Sequence, residues 1–382
     1  MGQGSKRSQV SPFIVMDIMR EANELEAKGK NIIHMEVGQP STCAPHRALR
    51  AASEVLLKER LGYTEALGNI DLRRKISQFY SARYDLEIDV NRIIVTTGAS
   101  GGLQLAFLSL FDAGERVALT EPCYPGYRNM LSSMNIGIEK LSIGPECDFR
   151  LNVEILEKMS KRIDGLLMSS PGNPTGSMTS AKQFELIVSW CQENQVKLIS
   201  DEIYHGIEYE EPAITAVNFD SDSIVINSFS KYFSMTGWRL GWMIVPEDLI
   251  RSVECLAQNM FISPPTLSQI AASAAFDCYA EAEENVKRYA KNRSILMSEL
   301  PSSGLDKLAP ADGAFYIYAD VAHLTNDSVG FCNRMLEDIG VACTPGLDFD
   351  PDRGGSTLRL SFAGAQEDMI GACKRIKVWL KN

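Results

Sequence analysis

Lysine, aspartate, tyrosine, asparagine, serine and arginine gather in a few short stretches of this 382-residue chain. SFSKYFSMTGWRLG holds Ser228, Ser230 and Lys231, with Arg239 following eight residues after the lysine. DEIYHG holds Asp201 and Tyr204, SSPGNPTG holds Asn173, and EPCYPGY holds Tyr124. Gly98-Ala99-Ser100-Gly101-Gly102 opens a helical pattern. A glycine-rich helix start exposes backbone N–H groups and the positive end of a dipole, which together make a cup for phosphate. Ser100 and Ser228 add hydroxyl donors to that cup, and Arg239 adds a two-pronged guanidinium. A lysine beside such a cup is free to be an amine awaiting an aldehyde. A carboxylate at the floor keeps a pyridine nitrogen protonated and makes the ring an electron sink. Tyr124 offers a flat ring to stack on. Pyridoxal 5′-phosphate is the ligand that meets these demands together.

Each of these stretches follows an apolar run. Residues 92–97 precede the glycine-rich loop, 116–120 precede Tyr124, and 165–169 precede Asn173. Residues 196–200 precede Asp201 and 223–228 precede Lys231, while 138–143 and 240–245 supply two further runs. Continuous β-branched runs separated by helical patterns, as at 103–111 and 181–193, predict a parallel sheet buried on both faces. An open sheet of this kind binds its ligand in the crevice at the carboxyl ends of the strands. Long helical stretches at 246–259 and 280–300 lead away from it. Beyond Pro310, short strands at 315–320 and 357–362 alternate with helices at 329–339 and 367–380. Near the start lie a helix at 13–28 and a short strand at 32–37. The expected fold is therefore α/β. A large domain, residues 46–285, carries a mostly parallel seven-stranded sheet between helices. A smaller α+β domain is built from an N-terminal arm, 1–45, and the C-terminal segment 286–382.

In their order and spacing, SFSKYFSMTGWRLG, DEIYHG, SSPGNPTG, the GASGGL loop and LRLSFA resemble the class I and II aminotransferases over nearly the whole chain. These are fold-type I pyridoxal-phosphate enzymes. The resemblance implies that an amino group passes from an L-amino acid to a 2-oxo acid in two half-reactions. It makes Lys231 the Schiff-base amine and the residue that shuttles the proton. It pairs Asp201 with the pyridine nitrogen, and Tyr204 and Asn173 with the cofactor's 3′-oxygen. It gives the phosphate to Ser100, Ser228 and Arg239 with the backbone at Gly98 and Ala99, while Ser230 stands where the family often has a plain small residue. Arg359, in LRLSFA, matches the clamp for the substrate's α-carboxylate, with a backbone N–H of Gly38 beside it. Since Arg359 belongs to the smaller domain, closure over the substrate is implied. Tyr63 matches a tyrosine that reaches the phosphate of the neighbouring subunit, which implies a homodimer.

Composition excludes several other classes. With 38 basic and 49 acidic residues spread along the chain, the net charge is −11. That disfavours nucleic-acid or anionic-membrane partners and requires a local cationic pocket for any anion. None of the nine cysteines forms a C-x-x-C pair, and the four histidines are scattered. Neither a zinc site nor a disulfide framework is predicted, and the usage fits a reducing, cytoplasmic compartment. No apolar run reaches the ~18 residues of a membrane helix, residues 1–7 lack an apolar signal core, and Lys6 stands where myristoylation requires Ser or Thr. The glycosylation sequons at Asn292 and Asn326 read as chance matches. The acidic-substrate branch of the family carries a second arginine shortly before a Pro-Pro pair. Here Gln258 holds that place before Pro264-Pro265, and Pro12-Phe13-Ile14-Val15 offers an apolar wall, so a neutral or aromatic donor is favoured. The alternative activity is a carbon–sulfur β-lyase of the same fold. A DNA-binding regulator on this fold would need an added basic domain. A dinucleotide-dependent hydride-transfer enzyme would need G-x-G-x-x-G and would leave Lys231 unexplained.

Overall fold

The apolar runs become strands where their composition places them. The computed structural model describes residues 4–58 and 60–381. After a short β1 (Ile33–His34) come β2 (Ile93–Thr96), β3 (Arg116–Glu121), β4 (Gly137–Ser142), β5 (Gly165–Ser169), β6 (Lys197–Asp201), β7 (Ile224–Ser228) and β8 (Gly241–Ile244). Strands β2 to β8 form one seven-stranded sheet in the order β2-β8-β7-β6-β5-β3-β4. β8 is antiparallel to both neighbours and the other pairings are parallel.

Side chains alternate between two apolar layers, as the pleat requires. Ile94, Val117, Leu167, Ile199, Ile226 and Met243 join Leu103 and Phe107 of helix Gly98–Leu110 on one face. Val95, Ala118, Leu166, Leu198, Val225 and Trp242 face the opposite core. Every residue of β2, β7 and β8 is buried, which is why these strands read as unbroken apolar runs. The edge strand β4 is more open and carries Glu139 and Lys140. Charges on an edge discourage pairing with another chain.

The C-terminal part supplies β9 (Lys307–Leu308), β10 (Tyr316–Asp320), β11 (Val341–Ala342), β12 (Thr344–Pro345) and β13 (Thr357–Ser361). Four of them form an antiparallel sheet in the order β12-β13-β10-β9. Helices Ser328–Ile339 and Gln366–Trp379 accompany it. β1 pairs in parallel with β11, Ile33 opposite Val341, so the N-terminal arm is joined to the C-terminal segment. The position 285/286 lies inside one continuous helix, Tyr279–Ser302. Among the described residues no helix is long and apolar enough to cross a membrane. The nine cysteines are free. Asn292 is 0% exposed, and its amide donates to the carbonyls of Phe362 and Gly364, so that sequon offers no acceptor.

Candidate active site

Parallel strands deliver their C-terminal ends to one side of the sheet, and the residues that follow them surround a cavity of about 210 Å³. Ala99, Ser100, Tyr124, Asn173, Asp201 and Tyr204 line it, as do Lys231 and Arg239. Gly38 and Arg359 close it from the N-terminal arm and β13. Three residues singled out in the sequence are placed otherwise. Gly98 lies behind the wall at φ +73°, where a Cβ would come within 2.5 Å of an Arg239 nitrogen. Glycine therefore lets the guanidinium pack against the helix start. The buried Ser228 hydroxyl lies 3.0 Å from the Leu240 carbonyl and 2.9 Å from the Ser230 hydroxyl. Ser230, the serine of lower rank in the sequence, faces the cavity instead. Tyr63 is 82% exposed and does not line the cavity.

Lys231 is partly buried and its Nζ donates to the Gly38 carbonyl at 2.5 Å. Burial, with Arg359 and Arg239 adding repulsion, pushes its pKa down to about 8, and Asp201 offsets this only in part. Asp201 ends β6. Its Oδ2 accepts the Tyr127 hydroxyl at 2.5 Å and its Oδ1 accepts the Ile203 N–H at 3.1 Å. Burial pushes this carboxyl up to about 6 against the pull of those two bonds and of Lys231. The Tyr204 hydroxyl lies 2.6 Å from that of Tyr316, and burial carries the Tyr204 phenol well above its ordinary value.

Arg359 is stacked between the rings of Tyr316 and Phe349, at 4.4 and 4.7 Å. One terminal nitrogen donates to Asn173 Oδ1 at 2.9 Å; the other donates to Thr344 Oγ1 at 3.2 Å and to the Glu36 carbonyl. Among the described residues its buried Nε has no partner. At Gly38 a Cβ would fall 1.9 Å from the Tyr316 hydroxyl oxygen, so only glycine allows this approach.

These residues fit pyridoxal phosphate. Helix Gly98–Leu110 begins at Thr97 without a side-chain cap, leaving first-turn N–H groups beside Arg239 for a phosphate. The partly buried Lys231 amine and the buried Asp201 carboxylate stand in the same cavity for the aldehyde and the ring nitrogen. The N-terminal run also enters the site: Phe13 and Val15 line the cavity, and the Phe13 ring stacks on Tyr124 with 5.8 Å between centroids. Gln258 is exposed and does not reach this cavity.

Sequence reasoning missed Tyr127, Tyr316, Asp348 and Phe349, which also line it. Tyr127 sits one helical turn after Tyr124, a spacing that places both on one face. The other three carry no local signal. The scattered histidines hide a further meeting: His46, Cys278 and Glu281 bring ligand atoms within 4.8 Å of one another at the starts of two helices. There Glu281 accepts the His46 backbone N–H at 3.0 Å.

Comparison with known proteins agrees with this geometry. The family model for aminotransferase class I and II matches residues 30–376. A valine–pyruvate aminotransferase of Mycobacterium tuberculosis is 45% identical over 380 residues, covering 98% of each chain. A (5-formylfuran-3-yl)methyl phosphate transaminase of Methanocaldococcus jannaschii is 35% identical, covering 97% of each. The crystal structure of an aminotransferase from Mycobacterium tuberculosis superposes with a TM-score of 0.97 at 44% identity, covering 100% of each chain. With its sheet and cavity matched in this way, the chain belongs to the class I and II aminotransferases, and it is a pyridoxal-phosphate-dependent enzyme acting on amino acids and 2-oxo acids.

Proposed function

We propose that the enzyme moves the amino group of a neutral, apolar L-amino acid to a small 2-oxo acid of the pyruvate type, with Lys231 as the catalytic amine. The observation that carries the reading is the partly buried Lys231 amine, depressed to about 8, in one cavity with the Asp201 carboxylate and the Arg359 guanidinium. When bound, pyridoxal phosphate supplies an aldehyde for that amine and a ring that accepts the electron pair released at the substrate's Cα. Near neutral pH, Lys231 can both hold and release a proton, so it takes the Cα proton and returns it. Asp201, steadied by Tyr127, would hold the ring nitrogen, and Tyr204 and Asn173 would hold the ring's hydroxyl oxygen. Ser100, Arg239 and the backbone N–H groups of Gly98 and Ala99 hold the phosphate. Ser230 contributes from the wall and Ser228 supports it from behind. Tyr124, which lines the cavity, would stack on the ring. Arg359 and the Gly38 N–H grip the α-carboxylate.

The donor class follows from the apolar wall of Phe13, Val15, Val37 and Phe349, and from the 45% identity to a valine–pyruvate aminotransferase. We extend the reading to a homodimer. The loop at Tyr63 is pinned by Thr266 on the Gly62 carbonyl and by Gln269 on Thr64, while the Tyr63 ring points outward. This suits a side chain that completes a partner's phosphate site. Residues 1–45 with 286–382 form the body that closes over residues 46–285, and nine free thiols suit the cytoplasm. A panel of amino donors with pyruvate and 2-oxoglutarate as acceptors tests the proposal. Neutral donors should yield their 2-oxo acids with pyruvate. Cleavage of a cysteine thioether to pyruvate, ammonia and a thiol, with no donor transaminated, would refute it.

A further inference from the structure

We propose that Asp348 is the specificity-determining residue that keeps dicarboxylic amino acids and 2-oxo acids out of this cavity, and that the same carboxylate fastens the N-terminal segment over it. The inference rests on the proposed function and deepens it. Asp348 ends the turn Gly346–Asp348 just after β12; it is 3% exposed and lines the cavity that holds Lys231 and Arg359. Its two oxygens accept the N–H groups of Ile14 at 3.1 Å and Val15 at 3.3 Å. These open helix Ile14–Ala27, whose N-cap Phe13 supplies no side-chain bond. Asp348 thus satisfies two donors that the helix itself leaves unpaired, and the helix dipole favours a negative charge there.

The same bonds set Phe13 and Val15 into the cavity wall, while the Asn129 amide holds the Ser11 carbonyl at 3.0 Å. The turn cannot swing away on its own. Arg128 donates to the carbonyl of Asp348 at 2.8 Å and to that of Phe349 at 2.9 Å.

The cavity's cations all have other work on this reading. Arg239 stands at the helix start, Lys231 is the amine, and Arg359 grips the α-carboxylate. On this reading a substrate held by Arg359 carries its side chain toward the apolar residues Phe13, Val15 and Val37, which line the cavity together with Asp348. An apolar side chain buries against that wall. A carboxylate finds no uncommitted cation and meets a like charge out of water, where repulsion is strong. Both substrates of a transaminase occupy the same cavity in turn. The carboxylate that rejects glutamate therefore also rejects 2-oxoglutarate, and the acceptor is drawn to the same neutral class as the donor.

Asp348→Asn keeps the shape and removes the charge. The readouts are the ratio of kcat/KM for L-glutamate to that for L-valine, and the ratio for 2-oxoglutarate to pyruvate. Both ratios should rise at least about tenfold. Ile14→Pro deletes one N–H to Asp348 and leaves the charge; proline suits the first position of a helix, and the extended Phe13 before it is compatible. Here the charge remains, so both ratios should change far less than in Asp348→Asn, even if loosening of Phe13 and Val15 weakens neutral donors. If Asp348→Asn changes all substrates in proportion, Asp348 only fastens the segment and the proposal is overturned. Equal use of glutamate and valine by the unaltered enzyme overturns it too. Should Asp348→Asn unfold early in a thermal scan, Asp348→Ser carries the same comparison. An unaltered enzyme that transaminates no neutral donor would refute the proposed function instead.

Discussion

Replacing Arg359 by alanine removes a guanidinium that the protein braces without saturating. Two aromatic rings sandwich it, three acceptors hold its terminal nitrogens, and its Nε is left over. A carboxylate gripped by such a fork gains two charge-assisted hydrogen bonds, each worth about 1.5–3 kcal/mol. Losing both costs about 3–6 kcal/mol, or roughly 10²- to 10⁴-fold in kcat/KM at ~1.4 kcal/mol per decade. Because every donor carries the α-carboxylate, the loss should be uniform across donors and fall mainly on KM. The fold should also suffer, since Asn173 Oδ1 loses its donor at about 1–3 kcal/mol, while the Glu36 carbonyl keeps the Thr344 hydroxyl. Arg359→Lys separates the two effects: it restores charge and part of the unfolding midpoint, but not the fork. The assay is initial rate against donor concentration, with bound cofactor followed by its absorbance and folding by a thermal scan. Cofactor lost while donor KM stays unchanged, or a penalty that differs by orders of magnitude between donors, would refute the assigned clamp.

Four other outcomes are expected. Tyr127→Phe removes the hydroxyl bonded to Asp201, whose carboxyl, already at about 6, should titrate higher still in the infrared spectrum of the cofactor-free protein; an unmoved midpoint contradicts the linkage. In the same cofactor-free protein, reductive methylation of Lys231 should rise with pH to a plateau with a midpoint near 8. Since the unfolded chain keeps that proton up to about 10.5 while the folded one releases it near 8, Lys231 should also make the fold more stable as pH rises through that window, by comparison with Lys231→Met in urea titrations. Finally, Tyr63→Ala and Lys231→Met chains, each impaired alone, should regain activity when their subunits are mixed, because one hybrid site then combines an intact lysine with a partner's tyrosine; no recovery in verified hybrids argues against a shared site.

Most of this was legible because a parallel sheet has a strong local signature. The run at 92–97 became Ile93–Thr96 and the run at 223–228 became Ile224–Ser228. Polar and glycine-rich stretches after such runs stand out against apolar surroundings. Elsewhere local pattern failed for physical reasons. Helix Ile70–Tyr84 buries Arg73, whose guanidinium donates to the carbonyls of Ile93 and Val90, so a charge interrupts its apolar stripe. Helix Thr266–Ala275 packs through Ser268, Gln269 and small alanines, leaving little amphipathic contrast. Helix Pro125–Ser133 opens with Pro-Gly, which reads as a turn, although proline suits a first helical position. That Ser230 faces the cavity while Ser228 lies behind its wall follows from the path of the chain as β7 ends. Asp348 and Tyr316 become site residues only through contacts with Ile14, Val15 and Tyr204, far away in sequence.

The placement of these groups separates two tasks. Most groups assigned to the cofactor follow the ends of buried strands in one sheet; β3, β5, β6 and β7 are paired on both sides, while β2, at the edge, pairs with β8 alone. Groups assigned to the substrate come from elsewhere: Arg359 from β13, Asp348 from a three-residue turn, Phe13 and Val15 from the start of the chain. The second set is joined to the first by few bonds, chiefly Arg128 to the Asp348 turn and Arg359 to Asn173. A substitution at Asp348 or Phe13 therefore alters which side chain is admitted while Asp201 and Tyr127 keep their geometry. One at Tyr127 disturbs the chemistry common to all substrates. Differences in donor choice among relatives with this sheet should accordingly map to the turn after β12 and to the N-terminal segment, and not to the strand ends.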